Sequence, residues 1–175
     1  MSQNTLRCCS IWWSITAGVA LNVLGSFAVA DDAVVTRDGT TVRGTLVSVS
    51  PEGVEIEDRS GIKKVSILDL VELSLDGEPD SLRAARRLLL RRDARGAIDE
   101  LAKIEPEELK DVEPRIREEL EFITLAATTQ AATAAEAAGR VKPLADFLQK
   151  NSRSHHFYAG YELLGDILAR QGKYQ

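Results

Sequence analysis

The fold is decided by residues 33–77, which read AVVTRDGTTVRGTLVSVSPEGVEIEDRSGIKKVSILDLVELSLDG. β-Branched residues dominate this stretch, and turn signals recur at Asp38-Gly39, Pro51-Glu52-Gly53 and Arg59-Ser60-Gly61. Short runs of alternating apolar and polar residues between such signals are typical of half-buried antiparallel strands. Residues 31–77 are therefore predicted to form five short antiparallel strands.

Local details refine this prediction. Asp38-Gly39 is typical of a tight hairpin turn with positive φ at both central residues, and Gly44 is expected to let the long second strand bend. The SILDL segment (66–70) indicates a single helical turn before the last strand. This order of elements resembles the small SH3-like or Sm-like β-barrels. The resemblance implies a closed barrel, but no Asp-x-x-Asn motif is present to carry over an RNA-binding role.

From Glu78 onward the apolar residues recur with the helical period of 3.6. Pro79 ends the strand pattern, and LRAARRLLLRRDARGAIDELAKI (82–104) predicts a helical hairpin. A long Ala-rich helix is expected over about 115–135, and another over VKPLADFLQKN (141–151). The predicted fold class is α+β, a small five-stranded antiparallel barrel followed by an all-α array over residues 78–175.

The closing segment YELLGDILARQGKYQ (161–175) carries an aromatic residue, a Leu-Gly pair, and a glycine near its end. It resembles the first helix and turn of a tetratricopeptide repeat, W-x2-L-G-x2-Y. The residues that carry the resemblance, and that it implies pack the repeat, are Tyr161, Leu164, Gly165, Leu168, Gly172 and Tyr174. Gly165 would let two helices approach closely, and Gly172 would end the helix. Because the second helix of the unit is missing, we expect a fragment whose natural chain continues beyond Gln175.

Residues 1–30 have the features of a secretory signal peptide. A lone Arg7 precedes an apolar run from Ile11 to Val29, and Ala28-x-Ala30 fits a cleavage site after Ala30. The alternative is an uncleaved membrane anchor over residues 11–30. Cleavage predicts an exported protein, periplasmic or extracellular, which contains no cysteine after Ala30 and so neither a disulfide nor a thiolate nucleophile.

The charge pattern bears on possible partners. The chain has a net charge of −5, which argues against general nucleic-acid binding. Three arginines spaced by four residues share one face of the first predicted helix: Arg83, Arg87 and Arg91. An anionic partner or a lipid head group could dock on this arginine stripe. Alternatively, the stripe pairs with Glu55 and Glu57, or with the acidic segment beginning at Glu105.

No catalytic constellation is evident. His155-His156 is the only histidine pair, and adjacent histidines on a helix point to different faces. With no cysteine or further histidine after Ala30 to complete a metal site, we interpret them as surface residues at a helix start. No catalytic residue, metal, cofactor or small-molecule substrate is predicted.

The tetratricopeptide resemblance implies a protein-interaction scaffold. The predicted function is therefore a non-catalytic exported adaptor that binds protein or peptide partners. Two alternatives remain: a polyanion or nucleic-acid binder that uses the barrel and the arginine stripe, and the N-terminal part of a larger enzyme whose catalytic domain follows Gln175. Membrane association is expected only if residues 11–30 are retained.

Overall fold

The computed structural model describes residues 32–172. The predicted signal peptide and Tyr174 lie outside these residues. Within them, no helix combines the length and the apolar character needed to cross a membrane. The described chain is α+β: an antiparallel sheet is followed by helices.

The sheet contains the five expected strands. They are β1 (Asp32–Thr36), β2 (Thr41–Ser50), β3 (Gly53–Asp58), β4 (Gly61–Ser66) and β5 (Leu70–Ser74). All neighbours are antiparallel, in the order β4-β3-β2-β1-β5. Because β4 and β5 lie at opposite edges and do not pair, the sheet is not closed into a barrel.

One local expectation for the sheet, the type of the Asp38-Gly39 turn, needs correction, and a second glycine has a clear structural role. Of the residues in the Asp38-Gly39 turn only Gly39 has positive φ, at 84°, so the turn is not of the expected type. Asp38 instead accepts hydrogen bonds from the Thr36 hydroxyl at 2.5 Å and the Thr40 N–H at 3.0 Å. At Gly44 a side chain would collide with the backbone carbonyl of Glu57. Glycine is therefore required there for the close approach of β2 and β3.

The helices begin directly after the sheet. They are α1 (Asp80–Leu90), α2 (Ala94–Leu101), α3 (Pro114–Ala131), α4 (Ala134–Ala137), α5 (Val141–Lys150) and α6 (Phe157–Arg170), with 3₁₀ turns at Pro106–Leu109 and Ala138–Arg140. The predicted hairpin and the helix over 141–151 are confirmed. The long helix ends at Ala131, earlier than expected, because Ala132 is extended and Thr133 caps α4 by accepting the Glu136 N–H.

The sheet and the helices share one apolar core. Val34 and Ile56 from the sheet are fully buried in the same cluster as Leu82 of α1 and Phe147 of α5. Asp32 further ties the start of β1 to its surroundings, since its carboxylate accepts the N–H groups of Leu46 and Asp76. The secondary structure changes after Gly77, but the core continues across that point.

Candidate functional site

The face that α6 turns inward differs from the tetratricopeptide expectation. Tyr161 is 52% exposed and lies edge-on to Phe157, while Leu164 and Leu168 are only partly buried. The fully buried residue of the helix is Ile167, which packs with Leu144 of α5. The inward face is thus rotated by about one residue from the predicted one.

The glycines of α6 show the same rotation. A side chain at Gly165 would meet nothing within 4 Å among the described residues, so Gly165 does not mediate a close helix contact. That role belongs to Gly160, where an added Cβ would lie 2.7 Å from Leu148 Cδ2 on α5. Gly172 has φ of 69° and donates its N–H to the Ala169 carbonyl, so it ends the helix as predicted.

The arginine stripe is engaged mostly within the chain. Arg83 pairs with Glu78 and Asp80, and Arg87 pairs with Glu72 of β5. Neither uses the partners that the sequence suggested. Arg91 makes no ion pair within residues 32–172.

A buried charge cluster forms where the β5–α1 connection, α1, α3 and the α5–α6 connection meet. Its members are Glu78, Arg86, Glu119, His155 and His156. Arg86 donates from Nη2 to Glu78 Oε2 at 2.7 Å, from Nη1 to Glu78 Oε1 at 3.2 Å, and from Nε to Glu119 Oε1 at 2.7 Å. The side chains of these three residues are at most 7% exposed. One guanidinium therefore joins two buried carboxylates.

The histidine pair completes the cluster. His156 Nε2 lies 2.6 Å from Glu119 Oε2, and His155 Nε2 lies 3.6 Å from the same oxygen. The His156 ring stacks on Phe122 with centroids 3.8 Å apart, and the two imidazoles are equally close to each other. The side chain of His155 is only 10% exposed and that of His156 only 13%. The interpretation of these histidines as surface residues is therefore wrong.

The sequence places both central charges at core positions of their helices. Glu119 lies between Ile116 and Ile123, which are buried on the same face of α3. Arg86 follows the buried Ala85 on α1. A carboxylate in the apolar stripe of a helix is the sequence signal that could have located the cluster, because such a charge is buried only with a partner.

The cluster balances its own charge. The carboxylates of Glu78 and Glu119 both contact the guanidinium of Arg86, and Glu78 also contacts that of Arg83, so opposite charges lie side by side throughout the group. Burial alone would raise the pKa of Glu119, but His156, Arg86 and His155 outweigh it and hold that pKa well below its usual range. Burial likewise would lower the pKa of Arg86, yet the two carboxylates keep it above its usual value.

His155 is held neutral by its surroundings. Burial first, and then the charge of His156, lower its pKa to about 3, although Glu119 acts in the opposite direction and Arg86 adds to the lowering. Its Nδ1 is buried and has no hydrogen-bond partner among the described residues. His155 therefore contributes ring packing and a polar edge rather than a positive charge at neutral pH.

The ligand types also suit a metal ion, since one atom each of Glu119, His155 and His156 lies within 4.8 Å of the others. Tetrahedral zinc, with bonds near 2.0 to 2.1 Å, would hold two ligand atoms about 3.3 Å apart. The 2.6 Å between His156 Nε2 and Glu119 Oε2 is instead a hydrogen-bond length, and Arg86 already occupies the other carboxylate oxygen. The geometry favours a hydrogen-bonded ionic network.

This arrangement predicts a specific pH dependence of stability. His155 takes up a proton near pH 6.5 in the unfolded chain but only near pH 3 in the folded one. Stability from this group is complete above pH 6.5 and is lost as the pH falls, by roughly 1 kcal/mol per pH unit between pH 6 and pH 4. Denaturant titrations across this range should show that slope, and it should be clearly smaller in His155→Gln. Identical slopes would show that His155 is not held neutral.

An apolar groove opens beside the cluster. We call it the α1–α6 groove; its volume is about 500 Å³, and it lies between β5, α1, α3 and α6. Its main apolar lining residues are Val71, Leu89, Leu90, Phe122, Ile123 and Leu163. Four members of the cluster, Arg86, Glu119, His155 and His156, also line it. The cluster and the groove therefore share these four residues.

The rim of the groove exposes large apolar side chains. Val71 is 42% exposed, Tyr158 51% and Leu90 54%. Glu162 and Asp166 of α6 add two acidic groups to the same lining. The result is a concave apolar surface with a negatively charged margin.

Comparison with known proteins gives no match: no family model, no curated protein and no solved structure is significantly similar to the chain. Neither a family nor a relative therefore assigns a role to the cluster or the groove. The function has to be inferred from their chemistry alone.

Proposed function

We propose that the protein is a non-catalytic exported adaptor that binds a peptide segment of another protein in the α1–α6 groove. The observation that carries this proposal is the concave apolar lining with Val71, Leu90 and Tyr158 exposed along its rim. Apolar side chains gathered on a concave surface are typical of binding sites, whereas scattered exposed ones are not.

The finer architecture belongs to the same proposal. We regard the sheet as an open relative of the SH3-like barrels, supported by a strand order that places β1 between β2 and β5. We regard the helices as tetratricopeptide-like, supported by the packing of α1 on α2, of α2 on α3, and of α5 on α6. Export rests on the signal-like sequence of residues 1–30.

The polyanion-binding alternative gains no support from the arginine stripe. Arg83 and Arg87 are occupied by Glu78, Asp80 and Glu72. The buried Arg86 is likewise bound to two carboxylates. A peptide partner therefore fits the described surface better than a nucleic acid does.

The test is selection of random ten-residue peptides on the purified chain. Peptides enriched on the wild type should bind Leu90→Ser at least about tenfold more weakly, because burying a leucine contributes about 1.5–3 kcal/mol. The matched control is Ile62→Ser, since Ile62 of β4 is 58% exposed and lies outside the groove; it should leave binding unchanged. Failure to enrich any peptide, or equal loss in both variants, would overturn the proposal.

A further inference from the structure

The strand that borders the α1–α6 groove has an unpaired edge. Within residues 32–172, β5 pairs with β1 alone and forms one margin of the sheet. Leu70, Val71 and Leu73 of this strand belong to the groove lining. An edge strand presents N–H and C=O groups that can hydrogen-bond to an added strand.

The two edges of the sheet differ in how they are protected. β4, the opposite edge, carries Lys63 and Lys64 in its sequence GIKKVS. Lysines on an edge strand hinder the pairing of another strand. β5, with the sequence LVELS, has no lysine or proline and includes the exposed Val71. The one charge of β5, Glu72, pairs with Arg87, so the edge that borders the groove lacks the lysines that protect β4.

The groove also has a definite charge preference. Glu162 and Asp166 are one helical turn apart on α6, are exposed, and make no ion pair in the described part of the chain. Arg86 is neutralised by Glu78 and Glu119. Arg92 and Arg170 are not part of this lining; they line an adjoining pocket that shares Leu89, Leu90, Gln130, Leu163 and Asp166 with the groove. Glu162 and Asp166 are thus acidic groups of the groove lining that have no ion-pair partner among the described residues, and they complement a basic side chain.

We propose that the occupant of the groove is an extended segment of a partner protein that adds to the edge of β5. Alternate side chains of this segment are apolar and pack on Leu89, Leu90 and Phe122. A Lys or Arg of the same segment lies against Glu162 and Asp166. This inference rests on the proposed function and specifies the conformation and charge of the partner.

The first arm of the test uses the tightest synthetic peptide from the selection described above. Backbone N-methylation, one residue at a time, should weaken binding at least about tenfold at alternating positions, because only every second N–H of an added strand faces its neighbour. Binding should also slow amide exchange within residues 70–74. If binding depends on Leu90 but N-methylation has the same effect at successive peptide positions, the inference is overturned and the proposed function remains intact.

The second arm tests the charge preference. The double substitution Glu162→Gln with Asp166→Asn should weaken binding by roughly five- to tenfold and reduce its salt dependence. Glu107→Gln, an exposed acid outside the groove lining, is the control and should have no effect. Unchanged affinity in the double variant, or enrichment of acidic peptides, would refute the proposed basic partner. If the selected peptides bind Leu90→Ser as tightly as the wild type, the proposed function itself is refuted.

Discussion

Replacing Arg86 with methionine should lower the free energy of unfolding by about 3–5 kcal/mol. Methionine keeps much of the side-chain volume but leaves Glu78 and Glu119 as buried carboxylates without the guanidinium that both contact. Arg83 remains beside Glu78 and His156 beside Glu119, but the carboxylate oxygens that Arg86 contacted lose those hydrogen bonds inside the protein, which costs far more than the pair contributed. Guanidinium chloride denaturation at neutral pH measures the difference.

Arg87→Met is the matched control for this experiment. Arg87 is the next residue of α1 and also contacts a carboxylate, that of Glu72, at 3.2 Å, but its side chain is 56% exposed. Exposed ion pairs contribute at most about 1 kcal/mol, so this variant should remain nearly as stable as the wild type. Similar losses in the two variants would show that the cluster around Arg86 is solvated.

Replacing Phe147 with alanine should cost a comparable 3–5 kcal/mol. Phe147 is 1% exposed, and its ring centroid lies 5.5 Å from that of Phe122. The substitution leaves a cavity between α3 and α5 that neighbouring side chains fill only in part. Thermal or denaturant unfolding gives the value directly.

Tyr161→Ala serves as the control, since it removes an aromatic ring of similar size from α6. With Tyr161 half exposed, the loss should stay below about 1 kcal/mol. A loss as large as that of Phe147→Ala would place Tyr161 in the core. The tetratricopeptide orientation of α6 would then be correct, and the orientation with Gly160 and Ile167 facing inward would be wrong.

The strands and most helices could be predicted because their signals are local. The alternation around Val54 and Ile56 and the proline at position 114 act on neighbouring residues only. Closure of the sheet could not be predicted, because it depends on whether β4 and β5 meet across the whole sheet. Five strands are necessary for such a barrel but do not determine it.

The orientation of α6 was mispredicted for a different reason. Two apolar stripes with helical spacing coexist on this helix, one through Tyr161 and Leu168 and one through Gly160 and Ile167. A family motif favours the first, whereas packing against α5 selects the second, since Leu148 needs the space above Gly160. Periodicity alone could not decide between faces one residue apart.

The charge cluster was only partly accessible to sequence reasoning. Glu119 within an apolar stripe indicates a buried acid, but nothing local shows which of the many arginines neutralises it. Arg86 lies outside the four-residue spacing of Arg83, Arg87 and Arg91, so its position in the sequence gives no signal of its own. The role of the histidines followed from the tertiary structure, because their partner carboxylate belongs to α3.

The cluster also has a consequence for the order of folding events. Glu119 lies 33 residues from Arg86 and 37 residues from His156, so its carboxylate can be paired only after three separate segments have met. Until then the hydrated state of these groups is lower in free energy, because desolvating a charge before it is paired is costly. We infer that the cluster closes after the rate-limiting barrier. Disrupting it would then mainly shorten the lifetime of the native state and leave the rate of its formation nearly unchanged.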